Sequence, residues 1–333
     1  MRFVWLVISL FTLSASAELF HLPTANRAIF DPDGGGERFF VGTTGKPWTS
    51  GMFGCVRSDG HQFHEGLDIK CLQRDKHGEP TDPVRATADG TVAYINTRAN
   101  LSNYGRYIII RHNVEGIEIY SLYAHLSEVV PKLQAGSRVK SGDPIAIMGR
   151  TSNTHERISK ERAHVHFELN VVLNDRFASW YQKTSPAERN DHGNWNGHNL
   201  LGLDPRLVLL AQQKEGEKFS ILNFIRTQTE LCRVTVHATQ FPFLKRYTPL
   251  IRRNPAAEQQ GVAGYEVALN FNGVPYQLIP RSARELNSSE RIRLISVNAI
   301  EQEQHPCRHL VVKKGAAWQL TNQGHDLLEL LLY

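Results

Sequence analysis

Between residues 91 and 173 the chain is a succession of short β-branched and aromatic runs, at 91–96, 107–113, 117–126, 144–149 and 163–173. Turn signals such as Ala88-Asp-Gly90, Val114-Glu-Gly116 and Ser141-Gly-Asp143 divide them, and no helical period intervenes. Short strands at this spacing predict a mainly β fold built on antiparallel sheet. The clearest alternation is in Arg162-Ala-His-Val-His-Phe-Glu-Leu169. A period of two there turns Val165, Phe167 and Leu169 to a core and His164, His166 and Glu168 to the opposite face.

The flanks read differently. Residues 18–50 are rich in Gly, Pro and Asp around Asp31-Pro-Asp-Gly-Gly-Gly36, which predicts an approach segment hugging the surface. Residues 174–204 form a long polar and aromatic stretch with Trp180, His192, Trp195 and His198, predicted as a loop walling a cleft. A short helix is expected from Pro205, with Asp204 as its N-cap. The polar segment 212–218 marks a boundary, giving one domain over 51–215 and a smaller β-rich (α+β) domain over 219–333. In the latter, strands are expected at 231–239, 264–278, 291–300 and 309–320, and a terminal helix at 326–333. Its histidines are scattered and suggest no site.

Composition places the chain among globular proteins: 333 residues, 41% hydrophobic and 21% charged. Met1-Arg2, the apolar run from Phe3 to Leu13 and Ala15-Ser16-Ala17 have the form of a secretory signal peptide ending at Ala17. The expected product is exported to the periplasm or cell exterior, and no later stretch has the ~20 apolar residues of a membrane span. Export makes pairing of the four cysteines the expectation. The simplest of three connectivities joins Cys55 to Cys71 and Cys232 to Cys307; a Cys zinc site is disfavoured because no C-x-x-C occurs. The net charge of +5 is compatible with an anionic envelope polymer as partner. Nucleic acid is not indicated, since there is no basic run and no basic stripe interleaved with aromatics. Nothing in the sequence sets an oligomeric state.

Two histidines at i and i+2 of a strand share one space and can reach one metal ion. Alone, that pattern does not separate a metal site from a pair of surface histidines. Two upstream segments change the picture: His64-Glu-Gly-Leu-Asp68 and Tyr123-Ala-His-Leu126. His64, Asp68 and His166 make a His/Asp/His set that leaves the fourth position of tetrahedral zinc open, the arrangement that activates water. Gly66 argues against a helical i, i+4 pair, so the fold must bring the set together.

These segments resemble those of the LytM/lysostaphin-type zinc metallopeptidases of family M23. The resemblance also takes in Pro83-Val-Arg-Ala-Thr-Ala-Asp-Gly90, Tyr104-Gly105 before Ile108-Ile-Ile-Arg-His112, Val139-Lys-Ser-Gly-Asp-Pro-Ile145, Gly149-Arg-Thr151 and His164-Val-His-Phe-Glu168, in the family's order over roughly residues 50–173. It implies an antiparallel β-sheet M23-type catalytic domain and one zinc ion (Zn2+) per chain, held by His64, Asp68 and His166. It implies further that His125 and His164 stay off the metal, polarising the attacking water and stabilising the oxyanion. Glu168 is expected either to orient a ligand or to be a solvated or cross-strand carboxylate. The implied substrates are peptidoglycan stem or bridge peptides; a non-catalytic module that activates a wall hydrolase and a zinc peptidase acting on proteins are the other readings. The chain departs from the family in Asn153-Thr-His-Glu-Arg-Ile-Ser-Lys-Glu-Arg162, where a Gly- and Ser-rich turn is usual, and in the length of 174–204.

Overall fold

The computed structural model describes residues 18–153, 158–286 and 288–333. The expected signal peptide and part of the unusual 153–162 segment lie outside the described residues.

Among the described residues the strands are Gly54–Arg57 (β1), Gln62–His64 (β2), Leu67–Lys70 (β3), Pro83–Arg85 (β4), Gly90–Asn96 (β5), Tyr107–Val114 (β6), Ile117–Ala124 (β7), Glu128–Val129 (β8), Arg138–Val139 (β9), Pro144–Ile147 (β10), His164–Val172 (β11), Leu200–Leu203 (β12), Cys232–Val236 (β13), Gly264–Leu269 (β14), Pro275–Arg281 (β15), Ile292–Val297 (β16), Val311–Lys314 (β17) and Ala317–Leu320 (β18). The main sheet runs β12-β11-β7-β6-β5-β9 and is antiparallel throughout. β3 joins it on the edge of β11 that also carries β12: it pairs with the first half of β11, and β12 pairs with the second.

All nine residues of β11 are buried. Val165, Phe167, Leu169 and Val171 enter the main apolar core with Ile108 and Ile110 of β6. The opposite face ends in a smaller apolar cluster of Tyr107, Ile109, Tyr120, Leu122, Ala124, Val172 and Leu200. Between that cluster and the start of β11 lie His164, His166, Glu168 and Asn170, polar yet buried. Burying such groups without partners is costly, so their partners define the site.

The segment 174–204 is not the loop its polarity suggests. It holds a helix, Phe177–Thr184, and ends in β12. Leu-Leu-Gly-Leu is too short to show a period, and it is the open half of the β11 edge that makes it a strand. The helix Pro205–Glu215 forms with the Asp204 side chain accepting from the backbone N–H groups of Arg206 and Leu207.

In the C-terminal part, β15-β14-β13-β16 form a four-stranded sheet and β17-β18 a hairpin. The single strand expected over 264–278 is two, because the Asn270 side chain accepts from Asn272 N and Val274 N and turns the chain there. The terminal helix is longer than expected, Asn322–Leu332, since Thr321 caps it by accepting from Gly324 N.

The expected cysteine pairing is wrong. Cys55 of β1 is bonded to Cys307, and Cys71 and Cys232 are buried free thiols. Nearness in sequence misleads because Cys71 follows β3 and packs in the main core, whereas Cys55 lies on the separate β1-β2 hairpin that the C-terminal part covers.

Candidate metal centre

Register places the first two groups. His166 of β11 lies directly across from Asp68 of β3. His64 ends β2, and the chain returns through Glu65 and Gly66 to β3. A Cβ on Gly66 would sit 2.3 Å from the Phe167 carbonyl oxygen, so only glycine lets this turn pass against β11. The result is a tight triangle: His64 Nε2 to His166 Nδ1 is 3.1 Å, His166 Nδ1 to Asp68 Oδ1 is 2.9 Å and His64 Nε2 to Asp68 Oδ1 is 3.2 Å.

Hydrogen bonds on the outer side of each ring fix which nitrogen carries the proton. His64 Nδ1 donates to the Met52 carbonyl at 2.7 Å, which leaves Nε2 a lone pair. His166 Nε2 donates to Glu168 Oε1 at 2.8 Å, which leaves Nδ1 a lone pair. Asp68 Oδ2 is held by Arg57 at 2.7 Å, so Oδ1 is the free oxygen. Three acceptors therefore face one another at the centre, with no side-chain donor among the described residues between them. Such a cluster repels itself unless a cation or proton enters. Zinc bonds of about 2.0–2.1 Å in a tetrahedron separate ligand atoms by roughly 3.3 Å, close to the three distances found.

The electrostatics agree with that reading. Burial opposes charge on His166, but its bonds to Asp68 and Glu168 and their charges outweigh it and push the imidazole up to about 10, so that a proton occupies the place a cation would take. Burial likewise opposes charge on Asp68, yet His64 and His164 hold its carboxyl well below the usual range. His64 is pulled down by burial, which keeps its imidazole neutral and able to ligate.

His164 and His125 come to the same place by other routes. Their rings are 4.8 Å apart, and His125 lies 6.0 Å from the His166 ring. His164 Nδ1 donates to the Arg162 carbonyl at 2.6 Å, and His125 Nδ1 to the Thr151 carbonyl at 2.9 Å. Both are thereby held with Nε2 free. His164 Nε2 stands 3.4 Å from Asp68 Oδ1, further than either ring nitrogen of the triangle. His125 follows β7 directly with φ +63, a left-handed conformation that aims its ring back across the sheet. Its partner Thr151 is held by close approach: a Cβ on Gly105 would meet the Thr151 carbonyl oxygen at 2.3 Å. Burial, then the neighbouring His164 and His166, pull His125 well below the ordinary histidine range, so it is a neutral base at pH 7.

All five residues singled out from the sequence thus meet within one site. Of the residues behind them, sequence reasoning named Glu168 with its role open and missed Asn170, Arg57 and the parts played by Tyr104 and Thr151. Glu168 is 1% exposed and fixes His166; Tyr104 donates to the same oxygen at 2.8 Å and Asn170 to the other at 2.8 Å. Asn170 continues the alternating face of β11 and could have been found by extending it; Arg57 and Thr151 carried no such signal.

A cleft of about 770 Å³ opens on His125 and His166. One wall is Trp180, Tyr181, His192 and His198 from the 174–204 segment, and another is Cys307–Leu310 with the terminal helix.

Residues 62–178 match the model of peptidase family M23. No curated protein matches the chain. Among solved structures, a zinc-containing peptidase from Vibrio cholerae is 27% identical over 32% of this chain and 26% of its own, with a TM-score of 0.24. A putative glycyl-glycine endopeptidase lytM from Ruminococcus gnavus is 28% identical over 32% of this chain and 39% of its own, with a TM-score of 0.26. The catalytic domain of lysostaphin from Staphylococcus simulans is 24% identical over 36% of this chain and 74% of its own, with a TM-score of 0.25. The chain thus spans about a quarter of the length of the Vibrio cholerae peptidase.

Proposed function

From a chain whose residues 62–178 belong to peptidase family M23, we propose a zinc metalloendopeptidase that hydrolyses peptide cross-links or bridges of bacterial peptidoglycan after export. The observation that carries this reading is the triangle of acceptor atoms on His64, Asp68 and His166 beside two further imidazoles whose Nε2 atoms are free. Bound there, zinc supplies Lewis acidity, which polarises a carbonyl and brings the pKa of a water towards ~7.

The chain's own groups do the rest. Met52, Arg57 and Glu168 hold the three ligands in the tautomer and charge state that binding needs. His125, neutral and pinned by Thr151, accepts a proton from the attacking water at Nε2 and passes it to the leaving amide nitrogen as the C–N bond breaks. His164, whose Nδ1 is held by the Arg162 carbonyl, turns Nε2 to the carbonyl oxygen and, when protonated there, donates to it as it becomes negative. The cleft wall of Trp180 and Tyr181 gives a peptide an apolar surface and keeps bulk water from the reacting carbonyl.

Digestion of purified peptidoglycan of known cross-link type, with the released peptides identified by mass spectrometry, tests the substrate. Cuts within cross-links or bridges that stop on chelation and return with zinc are expected. Intact peptidoglycan beside cleaved protein substrates would move the assignment to a protein-directed peptidase. Stimulation of a wall amidase without any cutting would make the protein a regulatory module.

A further inference from the structure

The C-terminal part contributes Arg308 to the cleft that holds His125 and His166. Its place is set by covalent and aromatic restraints. Cys307, the residue before it, is bonded to Cys55 of β1, the strand paired with the β2 that ends in His64. The guanidinium lies over the Phe63 ring at 5.0 Å. Phe63 is itself fixed edge-on against Phe53 at 5.1 Å.

The charge so positioned has no counter-charge within ion-pair distance among the described residues. Its Nε is buried without a hydrogen-bond partner. The other arginine of the cleft, Arg57, is committed to Asp68. A buried guanidinium donor left open is expensive in a folded chain and is expected where a ligand completes it. The fork of N–H groups suits a planar oxyanion taken by two parallel bonds. Glu65, Glu188 and Asp326 line the same cleft, and their negative charge favours a singly charged group over a phosphate dianion.

We propose that Arg308 is a specificity-determining residue that recognises a free carboxylate of the peptide substrate. The proposal rests on the reading of this cleft as a peptide-binding site. Stem peptides of peptidoglycan carry such carboxylates along and at the end of the chain. The C-terminal part would thus select substrate, while the M23 segment cleaves it.

Calorimetric binding to the full-length, zinc-loaded protein tests this with a product that is not turned over: a synthetic stem tetrapeptide with free carboxylates, against the same peptide with every carboxylate converted to carboxamide. The free acid should bind roughly 10- to 100-fold more tightly, the range for losing a charge-assisted hydrogen-bonded pair. Arg308→Gln should remove that preference without changing zinc content, and Arg308→Lys should keep part of it. Equal affinities in the wild type, no binding of either peptide, or an undiminished preference in Arg308→Gln would overturn the proposal. Discrimination without any peptidoglycan cleavage would leave Arg308 its role and remove the proposed function, and cleavage without discrimination would do the reverse.

Discussion

His112 lies on the same antiparallel sheet as His164 and His166 and is as buried as they and His64 are, yet its surroundings differ in one respect. His112 on β6 is closed on both sides: Nδ1 donates to the Asp89 carbonyl at 2.8 Å, and Nε2 meets the Ser121 hydroxyl at 2.7 Å. On His64 and His166, the proposed ligands, one nitrogen is tied back and the other points at acceptors. Burial thus says little about whether a histidine works, and the count of unclosed nitrogens says much. A closed imidazole is a structural plug, whereas one held by its far nitrogen is aimed.

The sharpest way to break this contrast is to remove a ligand. His166→Ala should bring stoichiometric zinc and hydrolysis to background. Because a metal that binds only the folded chain stabilises it, chelation should lower the wild-type melting temperature and leave that of the variant unmoved. Stoichiometric zinc retained in His166→Ala would remove that residue from the set.

A smaller effect separates the aimed but unligated pair. His125→Ala and His164→Ala should each keep zinc near the wild-type content while kcat falls by roughly 10²-fold or more, the scale for losing a general base or an oxyanion donor. Loss of zinc in either variant would make that residue a ligand instead, and nearly full activity would return it to a structural role.

The smallest effect on activity belongs to His112. His112→Gln should leave zinc content and kcat/KM close to wild type and reduce stability only. Burial, only partly offset by the Asp89 carbonyl, pulls His112 down to about 4 from its ordinary 6.5. A depressed pKa means that the unfolded chain takes up the proton first as pH falls. The stability from keeping His112 neutral is therefore complete above pH 6.5 and is lost between there and about 4. Integrated over that window it is on the order of 3 kcal/mol. The gap in melting temperature between wild type and His112→Gln, followed from pH 7 to 4 with zinc in excess, should narrow; a constant gap would show that His112 does not titrate as described.

Much of this contrast was visible along the chain. Alternation in 162–169 put His164, His166 and Glu168 on one face, as the structure has them, and the Asp204 cap announced the helix after it. The role of Glu168 is not legible in sequence, because a carboxylate on a polar strand face looks the same there whether water or a neighbouring imidazole completes it. β12 was illegible for a related reason, since a four-residue apolar run becomes a strand only when another strand offers it an edge.

What the sequence determined by itself is local: strand period, turn residues, caps, and motifs whose members lie a few residues apart. Those follow from backbone sterics and side-chain alternation, which act over one or two turns of chain. Only the tertiary structure decided the Cys55–Cys307 bond across 252 residues, the close approach of Gly105 to Thr151 that holds His125, and the seat of Arg308 over Phe63. Each depends on which surfaces pack together, and the entropy of closing a loop grows so slowly with its length that sequence distance, the one measure available beforehand, hardly constrains the outcome.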